Sequence, residues 1–206
     1  MSFSTNEEAF WAGSFGNDYI ERNRSQQYLA SNIHFFSNIL RHTQKVESVI
    51  EFGANIGMNL RALKIILPHV SATGIEINAE AVRQLQEVTG PDQAIYQSIL
   101  DYTPDDKYDL SLIKGVLIHI HPEKLPEVYS KLYESAKKYI LICEYYNPTP
   151  VEISYRGHEG KLYKRDFAGE MLEIYKDLAL LDYGFVYRRD VQFPQDDITW
   201  FLLTKQ

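Results

Sequence analysis

The sequence predicts an α/β protein: a doubly wound, mostly parallel sheet of seven strands whose C-terminal strand runs antiparallel. Three observations carry this expectation. Short apolar runs alternate with amphipathic stretches through five cycles, and such alternation builds a parallel sheet with helices on both faces. The last two apolar runs, near Leu180–Arg188 and Ile198–Leu203, have no helix between them, and a short connection makes two strands antiparallel. Residues 46–59, VESVIEFGANIGMN, pass from an apolar run through Glu51 and two glycines straight into a helical pattern, the mark of a strand, a tight turn and a helix N-terminus.

In residues 24–41, Leu29, Ile33, Phe36 and Leu40 recur at helical spacing, so a helix precedes the first strand, Val46–Glu51. The next helix carries Leu60, Leu63 and Leu67 on one face and stops at Pro68. A second strand spans Val70–Ile75. Asn78 then caps a helix with the stripe Val82, Leu85 and Val88, which Gly90 and Pro91 end. A short third strand lies near Ala94–Gln97, and Tyr108–Ile113 is apolar enough to be a central strand buried on both faces. A helix from near Glu123 to Ala136 leads into the strand Tyr139–Cys143. Residues 145–165 are irregular. Asp166 is positioned to cap a helix carrying Met171, Leu172, Tyr175 and Leu178, before the two closing strands.

Bulk properties narrow the function classes. The chain has 206 residues, 45% of them hydrophobic, which suffices for one substantial core and one domain. A net charge of -7 argues against a partner with a nucleic-acid backbone. The single cysteine, Cys143 in the apolar run YILICE, allows no intramolecular disulfide, suits a reducing compartment, and reads as a buried thiol rather than a nucleophile. No signal-peptide pattern opens the chain and no apolar run approaches about 18 residues, so a cytoplasmic protein with no membrane partner is expected. The 15 tyrosines either line a pocket that needs apolar surface and hydroxyls or pack at the rim of the core. No histidine pair has metal-binding spacing with an acid, so no metal is expected, and there is no G-x-S-x-G elbow.

In open parallel sheets ligands sit beyond the C-terminal strand ends, where strand order reverses. There Gly53 permits the turn and lets backbone N–H groups approach a small ligand, Gly57 lets the helix pack against the strand, and Asn55 tolerates a left-handed backbone. Glu76 ends the second strand, where a carboxylate accepts hydrogen bonds from both hydroxyls of a ribose. A dinucleotide site needs G-x-G-x-x-G, but its second and third glycine positions hold Asn55 and Met58. The acid before the first glycine and the form G-x-x-x-G-x-N instead resemble motif I of the class I S-adenosylmethionine-dependent methyltransferases. The V-L-x-H of that superfamily is matched by Val116, Leu117, Ile118 and His119.

The resemblance implies a Rossmann-like methyltransferase fold and S-adenosylmethionine as cofactor, leaving as S-adenosylhomocysteine. It implies contacts from Glu51, Gly53, Asn55, Gly57 and Asn59 in the turn, and from Glu76 and Ile77 at the ribose. Ser98, Ile99 and Leu100 would border the adenine, and Lys114 and Gly115 the methionine end. Where a common family form has Gly-Asp, this chain has Gln97 and Ser98, which leaves open the side chain that meets the adenine amine.

Within the superfamily, residues 10–23, 144–171 and 195–203 resemble the methyltransferases associated with pseudaminic acid biosynthesis. That resemblance implies a small-molecule acceptor, a sugar or nonulosonate of bacterial surface glycan pathways. It divides the chain into an N-terminal helical lid (1–44), a cofactor-binding core (45–143) and a substrate rim with the C-terminal strands (144–206). The rival readings are an NAD-dependent oxidoreductase, opposed by Asn55 and Met58, and a module that binds cofactor or scaffolds a glycan-synthesis complex without turnover.

Candidates for proton handling are His119, His121 and Glu144, all placed after strands at the same rim. Each histidine has an alternative, as a packed residue or a helix start. Residues 155–166, YRGHEGKLYKRD, concentrate Arg156, Lys161, Lys164 and Arg165, either to bind an anionic acceptor or to pair with surface acids. Tyr145 and Tyr146 border the same rim. Trp11, Phe15, Tyr19 and Arg22 form a lid or pack on the sheet.

Overall fold

The computed structural model describes residues 3–21, 24–155, 157 and 160–206. Three helices open the chain: α1 (Asn6–Ala12), α2 (Ser14–Ile20) and α3 (Gln26–Leu40). The Thr5 side chain accepts from the N–H of Glu8 while the Glu8 side chain accepts from the Thr5 N–H, a reciprocal cap that satisfies two donors with no helical partner. Next come β1 (Ser48–Phe52), α4 (Met58–Ile66), β2 (Ser71–Glu76), α5 (Ala79–Thr89), β3 (Ala94–Tyr96), β4 (Tyr108–Lys114), α6 (Leu125–Ser135) and β5 (Ala136–Glu144). A two-stranded hairpin of β6 (Val151–Glu152) and β7 (Tyr163–Lys164) precedes α7 (Phe167–Ile174), β8 (Leu178–Val186) and β9 (Ile198–Lys205).

The seven-stranded sheet has the order β3-β2-β1-β4-β5-β9-β8. All pairs from β3 to β5 are parallel, and β9 runs antiparallel to both its neighbours. Strand order reverses between β1 and β4, which opens a crevice above their C-terminal ends. One face of the sheet is covered by α3, α4 and α5 around Phe36, Leu60, Leu63 and Leu85, the other by α6 and α7 around Val128, Leu132, Phe167 and Met171. β1 and β4 are therefore buried from both sides, over Val49–Phe52 and Leu110–Ile113.

Four elements differ from the sequence expectation. The helix after Asp166 is shorter: Tyr175 is its C-cap and Leu178 opens β8, because the apolar periodicity runs on across the boundary into strand. α6 begins at Leu125, after a 3₁₀ turn at Pro122–Lys124, and Ala136 starts β5 rather than ending the helix. Residues 145–165 contain the β6–β7 hairpin. The residues before β1 include two short helices as well as α3.

Candidate functional site

The turn after β1 has the backbone its sequence demands. Gly53 and Gly57 both lie at φ 77°, and Asn55 at φ 49° is the non-glycine residue of positive φ among the described residues. The turn's N–H groups, expected to face a ligand, are instead taken up inside the protein. Those of Gly53 and Ala54 donate to the Ile75 carbonyl, that of Asn55 to Glu76 Oε2 at 2.7 Å, and that of Ile56 to Asn55 Oδ1. Gly57 stands against α5 rather than a strand: an added Cβ would lie 2.8 Å from Leu85 Cδ1. Its part is to seat α4, and it does not line the cavity.

A cavity opens above this turn, walled by the ends of β1, β2, β3 and β4 and roofed by α1 and α2. Its wall changes character along its length. At the β3 end stand Ile77, Ile99 and Leu100, with Ala81 of α5. In the middle is Glu76, 8% exposed, whose Oε1 accepts from the Asn78 N–H and Oε2 from the Asn55 N–H. The Ile77 N–H also bonds to this carboxylate, and acceptor capacity remains beyond the three backbone donors. At the β4 end stand Asn59, Lys114 and Gly115.

Lys114 is the Lys or Arg residue among the described residues of the cavity wall. Its Nζ donates to the Tyr28 hydroxyl at 3.1 Å and lies over the Tyr28 ring. Burial works against its charge, but Tyr28, Cys143 and Glu51 outweigh that and raise its pKa, so it remains an ammonium. Beneath it Glu51 is fully buried; burial pushes its carboxyl up to about 8, against the Asn59 amide hydrogen bond and Lys114. Asn59 Nδ2 donates to Glu51 Oε1 at 2.6 Å, while Glu51 Oε2 and Asn59 Oδ1 are buried acceptors with no partner.

Past Gly115 the chain makes a 3₁₀ turn, Leu117–His119, that carries His119 into the cavity wall. His119 Nδ1 lies 2.6 Å from the Lys161 carbonyl oxygen. A carbonyl only accepts, so Nδ1 bears the proton and Nε2 is left as an acceptor. The ring is packed between Trp11 and Tyr155, at centroid distances of 4.7 and 4.9 Å. Burial lowers its pKa to about 4, opposed by the Lys161 carbonyl. The expectation of an imidazole that titrates near neutrality is thus corrected: His119 stays neutral. His121 lines the outer cavity, half-exposed, with Nδ1 4.0 Å from Glu123.

Several expected site residues lie elsewhere. Glu144 is 2% exposed and turned under the β4 loop, where Oε1 accepts from the N–H groups of Val116 and Leu117. It does not face the cavity, and its burial raises the carboxyl to about 7. Tyr145, Tyr146, Lys164 and Arg165 do not line the cavity either. Arg165 Nε pairs with Glu170 at 2.5 Å, Lys164 lies over the Tyr145 ring, Tyr145 also hydrogen-bonds Asp196, and the Tyr146 ring rests on Phe201. Of the loop's described cations, Lys161 pairs with Glu7 of the cavity wall at 3.5 Å without lining the cavity itself. Arg156 and Arg22 lie outside the described residues.

Trp11 and Tyr19 are in the roof, edge to face with each other at 5.3 Å. The roof is fastened at Asn78, whose Nδ2 donates to Asn17 Oδ1 at 2.8 Å and to the Trp11 carbonyl at 3.3 Å. Among the wall residues that escaped the sequence reading are Glu7, Glu8 and Tyr28. For Glu8 a signal existed, since Thr5-x-x-Glu8 has the spacing of a capping box. Glu8 is 6% exposed, and its Oε1 accepts a short hydrogen bond from the Ser98 hydroxyl. Among the described residues no group of three metal-ligating side chains occurs, and no helix is long and apolar enough to cross a membrane.

This sheet order, with its reversed strand between β5 and β8, is the fold of the class I S-adenosylmethionine-dependent methyltransferases. No protein-family model and no curated protein sequence matches the chain. The likeness is to solved structures. One is the 1,6-didemethyltoxoflavin-N1-methyltransferase of Burkholderia thailandensis with bound 1,6-didemethyltoxoflavin and S-adenosylhomocysteine (TM-score 0.72, 14% identity, 100% of this chain and 92% of that one). Another is the magnesium protoporphyrin IX methyltransferase of Synechocystis PCC 6803 with bound S-adenosylmethionine (TM-score 0.66, 13% identity, 100% of both chains). A third is the plantazolicin methyltransferase BpumL in complex with S-adenosylhomocysteine (TM-score 0.63, 15% identity, 97% of this chain and 94% of that one). At these identities the likeness is one of fold.

Proposed function

We propose that the protein transfers a methyl group from S-adenosylmethionine to a small molecule. The observation that carries this reading is the order of chemistry along the cavity wall. An apolar end suits a base, and Glu76, whose carboxylate keeps acceptor capacity beyond its backbone bonds, suits the hydroxyls of a ribose. Lys114 suits a carboxylate, and the partnerless acceptor Asn59 Oδ1 suits an ammonium, with Glu51 buried behind the wall as the partner that holds the Asn59 amide. An adenosyl amino acid presents those groups in that sequence. Bound there, it supplies a methyl carbon already activated by a sulfonium.

The chain's own residues then align the acceptor and keep water out. The roof of α1 and α2 encloses the site. His119 offers Nε2 as an acceptor, neutral near pH 7, that orients the N–H or O–H of the incoming nucleophile. Glu144 fixes the loop on which His119 is mounted, and His121 stands at the acceptor entrance. On this reading residues 1–44 act as the lid and residues 45–143 as the cofactor core.

The finer reading is a sugar or nonulosonate acceptor. Its support is the resemblance of residues 10–23, 144–171 and 195–203 to the pseudaminic acid-associated methyltransferases, together with the tyrosine hydroxyls near the site. For an anionic group, Lys161 beside Glu7 is the described cation that could receive it. The test is calorimetry with S-adenosylmethionine, S-adenosylhomocysteine and NAD, followed by methyl-transfer assays on neutral and acidic sugars. Binding of NAD but not of the adenosyl compounds would overturn the proposal.

A further inference from the structure

We propose that Glu8, on the N-terminal helix α1, reads the purine base of the cofactor, its carboxylate accepting a hydrogen bond from the exocyclic 6-amino group. The inference rests on the cavity holding an adenosyl compound and adds the residue that makes it specific for adenine. If Glu76 holds the ribose, the base lies toward β3, because the charged Lys114 end must take the amino-acid portion. That leaves the slot bounded by Ile77, Ile99, Leu100 and Ser98, all in the cavity wall.

The wall there needs a group that distinguishes one purine edge from another, and the strand end does not supply it. The Gln97 amide donates to the Asp101 carbonyl on the outside of the turn. The Ser98 hydroxyl gives its one proton to Glu8 and accepts from the Leu100 N–H at 3.0 Å, which leaves it only one neutral acceptor site, weaker than a carboxylate. Glu8 does supply one. It is buried in the cavity wall, and its Oε2 is held by the N–H groups of Ser4 and Thr5 at 2.6 and 2.9 Å, which fixes the plane of the carboxylate. Oε1 receives the Ser98 hydroxyl and retains a second acceptor site. A carboxylate accepts and cannot donate, so it favours an amino group at the purine 6-position and opposes an oxo group there. The acid therefore comes from 90 residues away in the chain, on the roof rather than on the sheet. The rival role for Glu8 is purely to cap α1 and tie it to Ser98.

The experiment is calorimetry on the full chain with S-adenosylhomocysteine and with S-inosylhomocysteine, which differ in the 6-amino against 6-oxo group. Wild type should prefer the adenosyl compound by about tenfold or more, the scale of one hydrogen bond to a charged group. Glu8→Gln, whose amide can accept or donate, should bring the ratio to within about twofold. Ser98→Ala keeps the carboxylate and should keep the preference. Equal binding of both compounds by wild type would overturn the inference whether or not the variants fold. So would a Glu8→Gln protein that binds both more weakly at an unchanged ratio, the outcome for a purely capping role. Binding of neither compound by wild type would instead remove the cofactor reading, and this inference with it.

Discussion

Asn55 shows how far a single residue can be read in advance. Its left-handed backbone was legible because few side chains other than asparagine tolerate that conformation between two glycines. Glu76 was equally legible as the acid ending β2, but not its second task, holding the Asn55 and Asn78 N–H groups. Glu76→Gln should therefore weaken S-adenosylhomocysteine binding by about 1–3 kcal/mol, the cost of impaired hydrogen bonds to a charged acceptor. Unchanged affinity by calorimetry would take Glu76 out of the site. His119 was legible as a residue of the β4 rim, whereas its neutrality was not, since that comes from burial between Trp11 and Tyr155. Its folded pKa of about 4 lies below the ordinary 6.5, so protons bind the unfolded chain first and His119 removes stability as pH falls from about 6.5 toward 4. Buried Glu51 and Glu144 act in the opposite sense, losing stability as pH rises above 4.5 toward 7 or 8. Comparison with His119→Gln isolates the histidine. The variant should lose less stability than wild type between pH 7 and pH 5 in denaturant titrations, and parallel pH dependences would show that His119 titrates normally.

At the scale of elements, the roof decides what the site encloses. α2 packs so closely on α1 and on the N-cap of α5 that a Cβ on Gly16 would lie 1.9 Å from the Trp11 carbonyl oxygen and 2.9 Å from Asn78 Nδ2. Gly16→Ala should push α2 outward while leaving the sheet intact. Limited proteolysis should then cut within the first 20 or so residues faster than in wild type; equal cleavage rates would mean the roof accommodates the methyl group. The aromatic stripe Trp11, Phe15 and Tyr19 suggested a lid from the sequence, but the fastening by Asn78 and Ser98 could not be seen, because it joins residues 61 and 90 positions apart. The basic stretch 155–166 is the converse case. Its charge excess was plain in the sequence, yet Arg165 turns to Glu170 and Lys161 to Glu7, so each of these cations already has an acid partner. Local ion pairing removes a cation from a site without leaving a mark on composition.

Across the whole molecule, the cavity draws on four strand ends and two roof helices, so a ligand bound there stabilises the folded chain as a unit. Saturation at 100 times the dissociation constant adds about 2.7 kcal/mol, which for a domain of this size corresponds to roughly 5–11 °C in melting temperature. S-adenosylhomocysteine should produce such a shift by scanning calorimetry and NAD should not; the reverse pattern would favour a dinucleotide site. The sequence by itself determined the alternation of elements, the turn at Gly53–Gly57, the acid at the end of β2 and the reversal of the last strand. These rest on periodicity, backbone permissiveness and connection length, all properties of neighbours along the chain. Only the tertiary structure decided that β9 inserts between β5 and β8, that Glu144 supports a loop rather than facing the cavity, and that Glu8 reaches Ser98. Each of those depends on which distant surfaces bury against each other, and burial also shifts His119, Glu51 and Glu144 away from their ordinary pKa values.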